Sequence, residues 1–389
     1  MLLDFSESAI KATEDGQVTY CKFITPNDTG STGGHQSGYH ISKTAWSLFF
    51  DLPGHKGENK DKTVTILWQD DFETESRFTY YGTGTRNEYR LTRFGRGFHF
   101  LNDENIGSLL VISRVADDYY KAYVLETEIE IENYLNFFGI SPDRANGLIS
   151  ELTATPIDLQ GLIDNYIQLL STGFPATETL SAKAREIFFN ANRQNELFAE
   201  RSPDLAITSW IDTEFDLFKA VERHMYKPQL TQPFSDIEGL VSFSNTILNR
   251  RKSRAGKSLE HHLEKVFDVN RLPYTSQGIT EGRKKPDFII PSIELYHDKN
   301  HSADKLIFLG AKTTCKDRWR QVLNEANRIP HKHLFTLQQG ISSNQLQEMK
   351  DENLTLVVPE KHLPTFSAEH RSDILTLKKF IVKSKEIIS

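Results

Sequence analysis

The chain has 389 residues, 38% of them hydrophobic, and a formal charge of −7 at pH 7. This length points to two domains, with three possible, and the acidic balance excludes an indiscriminately basic nucleic-acid coat while leaving locally basic grooves open. Cysteine occurs only at Cys21 and Cys315, so neither a disulfide framework nor a zinc site is implied.

The N-terminal stretch MLLDFSESAIKATEDG carries acidic residues where a signal peptide needs basic ones. No run approaches the ~20 apolar residues of a membrane span, so the chain reads as cytoplasmic with no membrane partner. Up to about Glu126, alternating apolar positions predict strands at Thr63–Gln69, Arg77–Tyr81, Ser108–Val115 and Tyr119–Leu125. Short strands at close spacing predict a barrel or sandwich. From Thr127 the pattern turns helical through GISPDRANGLISEL and DLQGLIDNYIQLLS. The Gly, Pro, Ser and Thr content of Ser171–Thr177 reads as a linker. The domains expected are 1–155 and 174–389, with a helical or linker segment over 156–173.

The second half alternates helices and strands. A helix is predicted at Lys257–Asp268 with Leu259, Leu263, Val266 and Phe267 inward, followed by strands at Phe288–Ile290 and Leu306–Ala311. Another helix is expected over Asp317–Arg328, turning Trp319, Val322, Leu323 and Ala326 inward, and then strands His333–Leu337 and Leu354–Val358 around a helix Ser342–Asp351. This rhythm predicts a mixed α/β sheet. No phosphate-binding G-x-x-x-x-G-K-[ST] loop occurs, since Gly54–Lys62 lacks that spacing and a following helix. No nucleotide cofactor is expected.

Chemistry concentrates in KKPDFIIPS and LGAKTTCKDRWRQVLNEANR. A Pro-Asp alone is more often a turn, and a strand-end Lys is commonly a solvated cap. Their combination changes the weighing. Leu306–Ala311 is almost wholly apolar, as in a central strand buried on both faces, so Lys312 at its end falls beside Asp287 on the neighbouring strand. Glu325 is expected from the following helix, on one stripe with Arg318 and Gln321. Glu260, one step from the apolar face of its helix, is a fourth candidate beside its bland reading as a solvated residue. Carboxylates of this kind hold a hard cation through oxygen, and the lysine polarises water or phosphate. The common nuclease pattern places an acid two residues before the Lys, where this chain has Gly310.

The strings NRRKSRAGKSLE, TEGRKKPDFIIPS, AKTTCKDRWRQVLNEA and HLFTLQQG, within a likeness running from about Phe174 to the C-terminus, resemble the catalytic domain of EcoRII-type restriction endonucleases. The resemblance implies a PD-(D/E)xK nuclease fold and Mg²⁺. It also implies a homodimer acting on double-stranded DNA at a CC-W-GG site. Carried over by motif, Glu260, Asp287, Lys312 and Glu325 would be catalytic, with Glu260, Asp287 and Glu325 as metal ligands. Lys316, Asp317 and Arg318 would read C:G pairs, which suits arginine's bidentate match to guanine. Trp210 is a core residue in the favoured reading, with stacking on a flipped base as its alternative.

The first half resembles the effector domain of the same family, a β-pseudobarrel that grips DNA with two arms. The matching strings are NDTGSTGGHQSG (Asn27–Gly38), with His35 and Gln36, and TRNEYRLTRFGRG (Thr85–Gly97), with Arg86, Asn87, Glu88, Arg90, Arg93 and Arg96. By resemblance this domain binds a second copy of the site and restrains the catalytic half until it does. The basic run Arg250–Lys257 is read as a phosphate clamp. Two rivals stay open: a sequence-specific DNA-binding regulator with an inactive nuclease half, and a repair nuclease sharing the metal site.

Overall fold

The structure, a computed structural model, describes residues 4–31, 37–170 and 173–389. It divides into two compact units. The first is Met1–Ala154 with Gln338–Glu348 and Pro364–Arg371; the second is Thr155–Leu337, Met349–Leu363 and Ser372–Ser389.

The first unit is built on eight strands: β1 (Val18–Phe23), β2 (Tyr39–Ile41), β3 (Lys60–Trp68), β4 (Glu73–Tyr81), β5 (Glu88–Thr92), β6 (Leu109–Ala116), β7 (Tyr119–Leu125) and β8 (Asn146–Leu148). They pair in the order β2-β5-β4-β3-β7-β6-β1-β8, antiparallel except for β3 beside β7. Residues from every strand, from Tyr20 in β1 to Leu148 in β8, meet in one core around Tyr39, Trp68, Phe78 and Phe100. A flat sheet of this width cannot turn all its strands toward a single core, so the sheet curls into the expected pseudobarrel. The other face of β1 and β6, with Cys21, Phe23, Leu109 and Val111, packs under Ile131, Tyr134 and Leu135 of the helix Glu128–Phe138.

That helix starts in a Thr127–Glu130 capping box and stops at Gly139, whose φ of 63° is left-handed. The helical reading of GISPDRANGLISEL is therefore corrected. Pro142–Arg144 forms a 3₁₀ turn and Asn146–Leu148 becomes β8, because its backbone completes the edge of β1 with Cys21 opposite Gly147.

The second unit holds the six-stranded sheet β14-β13-β12-β11-β10-β9, made of β9 (Thr275–Ser276), β10 (Phe288–Ile290), β11 (Ile307–Lys312), β12 (Lys332–Thr336), β13 (Leu354–Val358) and β14 (Leu375–Thr376). From β9 to β11 the pairing is antiparallel and from β11 to β14 parallel. The mixed α/β sheet expected from the sequence is present, and β11 is interior with Ile307, Phe308 and Leu309 buried. Leu259, Leu263, Val266 and Phe267 of the long helix Ile237–Val269 pack on it. Residues 156–173, read as a helical linker, carry the helix Ile157–Gln168, whose Leu159 and Ile163 bury beside Leu180, Ala184 and Leu217. This helix is part of the second unit's core because those apolar side chains need a covered face.

Among the described residues no helix is long and apolar enough to cross a membrane.

Candidate active site

The register of β10 on β11, with Phe288 opposite Leu309 and Ile290 opposite Ile307, sends Asp287 off the start of β10 just where β11 ends. Its Oδ2 accepts the backbone N–H of Ala311 at 2.8 Å. Lys312, half-buried, is the last residue of β11. Asp287 and Lys312 therefore share the rim of the sheet, as the apolar run before Lys312 implied.

Glu325 reaches the same rim by a route the sequence did not show. The expected helix over Asp317–Arg328 is corrected: Arg318–Asn324 is a 3₁₀ helix, and Glu325 follows in extended conformation at φ −92°, ψ 148°. Trp319 and Val322, three residues apart, are both buried, and a 3₁₀ turn eclipses i and i+3 side chains where an α-helix would not. Arg318, Gln321 and Glu325 consequently share no helical stripe. Ala326 turns left-handed at φ 48°, and Lys332 of β12 donates to the carbonyls of Ala326 at 3.1 Å and Ile329 at 2.9 Å. Lys284 donates to the carbonyl of Asn324. Two ammonium groups thus fix the turn that presents Glu325.

The Glu325 carboxyl is pushed up to about 7, first by burial and next by the charge of Asp287, against the pull of Lys312, Lys284 and Lys332. Glu325 therefore lies near enough to Asp287 and Lys312 for their charges to act on it. A carboxyl held near neutrality beside another carboxylate is a site short of positive charge, and an oxygen donor set suits a hard divalent cation.

Glu260 stands one group further away. Its Oε2 accepts from Lys257 Nζ at 2.9 Å and from Gln277 Nε2 at 3.1 Å, and the same Gln277 nitrogen donates to Asp287 Oδ1 at 3.1 Å. Among the described residues no three His, Cys, Asp or Glu side chains converge into a metal-holding group. Of the three expected carboxylates, Asp287 acts on Glu325 through its charge, and Glu260 is linked to Asp287 through the Gln277 amide. Sequence reasoning missed Gln277, Lys284 and Lys332; Lys284, which stands in the KKPD string, was the one within reach of a motif reading.

Gly310 explains the departure from the usual acid-x-Lys pattern. A Cβ there would lie 3.2 Å from Val322 Cγ1 and 3.4 Å from Leu334 Cδ1. A side chain there would require Val322, in the segment that leads to Glu325, to give by a few tenths of an ångström.

The remaining sites divide by burial. Lys316 is buried, Arg318 half-buried and Asp317 exposed, and all three already have partners within the chain. In the first unit Arg86, Asn87, Arg93 and Arg96 are exposed and Glu88 is half-buried. Arg86 lies over the Tyr81 ring, and Asn87 accepts from the Tyr80 hydroxyl at 3.0 Å. Arg90 is different, at 8% exposure, with its guanidinium on Asn27 Oδ1 at 3.2 Å and beside Glu88 at 3.6 Å. It lies on the face of β5 opposite the core-facing Tyr89 and Leu91, covered there by these partners. His35 and Gln36 lie outside the described residues.

In the basic run Arg250–Lys257 the three arginines have partners within the chain, while Lys252 and Lys257 are exposed. Arg251 pairs with Glu222, its Nε 2.9 Å from Oε1. Arg254 is buried against Glu214 at 3.4 Å and lies over the rings of Phe215 and Phe218. Arg250 stacks on Phe174 at 3.8 Å. These arginines bind the helix Ile237–Val269 to Pro203–Leu230 and its neighbours. Trp210 is fully buried, as its core reading held.

A mixed sheet bearing an acid, a lysine and a second acid at one rim, in a chain that also has a separate β-pseudobarrel, defines a restriction endonuclease of the PD-(D/E)xK class. The family model described as EcoRII C terminal matches residues 218–381, and that described as Restriction endonuclease EcoRII, N-terminal, matches 13–136. The Type II restriction enzyme EcoRII of Escherichia coli is 33% identical over 393 residues, covering 95% of this chain and 94% of that enzyme. The Type II restriction enzyme SsoII of Shigella sonnei is 26% identical over 157 residues, 38% of this chain and 50% of its own. Solved structures similar to it include metal-depleted Ecl18kI in complex with uncleaved, modified DNA (TM-score 0.45, 20% identity, 59% of this chain and 83% of that one) and a PspGI–substrate DNA complex (TM-score 0.45, 17% identity, 55% and 93%). The chain belongs to the EcoRII family of Type II restriction enzymes. It is a DNA-binding, site-specific deoxyribonuclease.

Proposed function

We propose that the chain is a Type IIE-like endonuclease that cuts double-stranded DNA at CCWGG-like sites with Mg²⁺ as its metal, acting in the cytoplasm. The observation that carries this is the meeting of Asp287, Glu325 and Lys312 at the end of β11, where the Glu325 carboxyl is held near 7 by burial and by Asp287. Asp287 and Glu325 are the residues that would hold the cation. When bound, Mg²⁺ supplies charge against the scissile phosphate and acidifies a coordinated water.

The chain's own groups do the rest. Lys312 orients or deprotonates the attacking water, and in-line attack leaves 5′-phosphate and 3′-hydroxyl ends. The Ala311 N–H holds Asp287 in place, while Lys284 and Lys332 fix the Glu325 turn. Lys316, Asp317 and Arg318 read C:G pairs after side-chain rearrangement. Arg86, Arg93 and Arg96, with Asn87 and Glu88, contact DNA from the first unit.

A site read on both strands calls for a two-fold dimer with one active site per strand. The first unit binds a second copy of the site and restrains cleavage until it does, which requires effector DNA to favour the active state. The test is cleavage of a one-site against a two-site plasmid in Mg²⁺, with end mapping. Preferential two-site cutting at mapped CCWGG supports the proposal. Equal rates remove the effector role, and a smeared digest or none removes the specific nuclease.

A further inference from the structure

Gln277 is assigned no role by the family motifs, yet it is the group that joins two of the acidic residues. It sits at the end of β9 in a left-handed conformation, φ 54°, directly across the antiparallel ladder from Asp287. Its backbone N–H donates to the Asp287 carbonyl at 3.2 Å. Its side-chain amide gives one N–H to Asp287 Oδ1 and the other to Glu260 Oε2, both at 3.1 Å. The amide orientation follows from chemistry, because turning its oxygen toward two carboxylates would set acceptor against acceptor.

Both oxygens of Asp287 are therefore held, Oδ1 by Gln277 and Oδ2 by the Ala311 N–H at 2.8 Å. A carboxylate offers about four lone-pair sites, so each oxygen keeps one for a cation, and the plane of the group is set before any cation arrives. Glu260 Oε2 already takes bonds from Lys257 and Gln277. Those two bonds use both lone-pair sites of that oxygen.

We infer that Gln277 is a positioning residue of the cleavage site: its amide orients Asp287 and is the route by which Glu260 acts on the metal site, in place of direct ligation by Glu260. This rests on the reading of Asp287 and Glu325 as the metal-holding pair. Removing partners that orient a ligand typically weakens metal binding by ~10–100-fold.

The experiment is a double-mutant cycle on the full-length chain, with Mn²⁺ alone as the probe and its dissociation constant read by electron paramagnetic resonance. Wild type, Q277M, E260Q and Q277M/E260Q are compared, with D287N as reference and circular dichroism reporting the fold. Q277M keeps the length of the side chain and removes both donors. It is expected to weaken Mn²⁺ by about 10-fold or more, to leave DNA affinity within about 2-fold, and to recover turnover as Mg²⁺ is raised. E260Q should add little in the Q277M background if its effect travels through the amide. Should Q277M misfold, Q277N supplies the same test, since asparagine tolerates the left-handed backbone while its shorter amide cannot span both carboxylates.

Unchanged Mn²⁺ binding in a folded Q277M or Q277N overturns the inference. So does an E260Q loss that is as large with the amide absent as with it present, which makes Glu260 a direct ligand. If D287N binds Mn²⁺ like wild type, the metal pair itself is misread, a failure separate from that of Gln277.

Discussion

Gly310→Asp is the substitution that would restore the ordinary acid-x-Lys spacing before Lys312, and the structure opposes it. Gly310 is buried in β11, and a Cβ there lies 3.2 Å from Val322 Cγ1, 3.4 Å from Leu334 Cδ1 and 3.6 Å from Phe308 Cε1. The first of these contacts requires a neighbour to yield by a few tenths of an ångström. The carboxyl group then extends further into the same packing. Overfilling a packed site costs about 1–3 kcal/mol, and burying a polar group without partners adds about 1–3 kcal/mol. Each kcal/mol lowers the melting temperature of a unit this size by about 2–4 °C, so a fall of roughly 10 °C is the central expectation. Gly310→Ala, which adds the methyl alone, should fall by less than half as much.

Thermal melting of both variants, paired with plasmid cleavage, checks this. Glu325→Ala should abolish cutting, and Gly310→Asp in that background should not rescue it. A Gly310→Asp protein that melts like wild type, together with a double variant that cuts, would refute the argument that packing against Val322 disfavours an acid here and that Glu325 stands in for it.

Three further outcomes are expected. Lys312→Ala should reduce cleavage by at least ~100-fold, the scale of a positioned proton-transfer group, while gel-shift affinity for specific DNA stays within a few-fold; nicking at the wild-type rate would reject Lys312. Glu325 titrates near 7 against an ordinary value of 4.5. A carboxyl raised by folding contributes stability that is complete below its unfolded pKa and is lost as pH rises through the folded one. Metal-free wild type should therefore lose stability between about pH 4.5 and 7, with a shallower slope in Glu325→Gln, and melting curves across that range decide it. Arg90→Ala should lower the melting temperature because its buried guanidinium holds Asn27, whereas Arg93→Ala and Arg96→Ala should leave stability alone and reduce the salt dependence of DNA binding. Equal behaviour of all three arginines in both assays would contradict that division.

Much of this molecule is written in local pattern. The strand Tyr119–Leu125 and the buried run ending at Lys312 follow from apolar periodicity alone, since side-chain alternation and uninterrupted burial are properties of adjacent residues. Asp287 beside Lys312 follows too, once β10 and β11 pair. Distant partners govern the rest. Packing of Trp319 and Val322 accompanies a 3₁₀ helix where apolar spacing suggested an α-helix, and Glu325 is delivered from an extended residue. Arginines that look alike in sequence separate into exposed Arg93 and Arg96 and buried Arg90 and Arg254, because burial depends on which carboxylate or ring the fold supplies. Gln277 carries no local sign of its role, for its meaning lies in two hydrogen bonds to residues 17 and 10 positions away. Sequence by itself determined the sheet, its lysine and the acid beside it; tertiary structure alone decided how the second acid arrives and what holds the first in place, because those hydrogen bonds and packing contacts form only once distant segments meet.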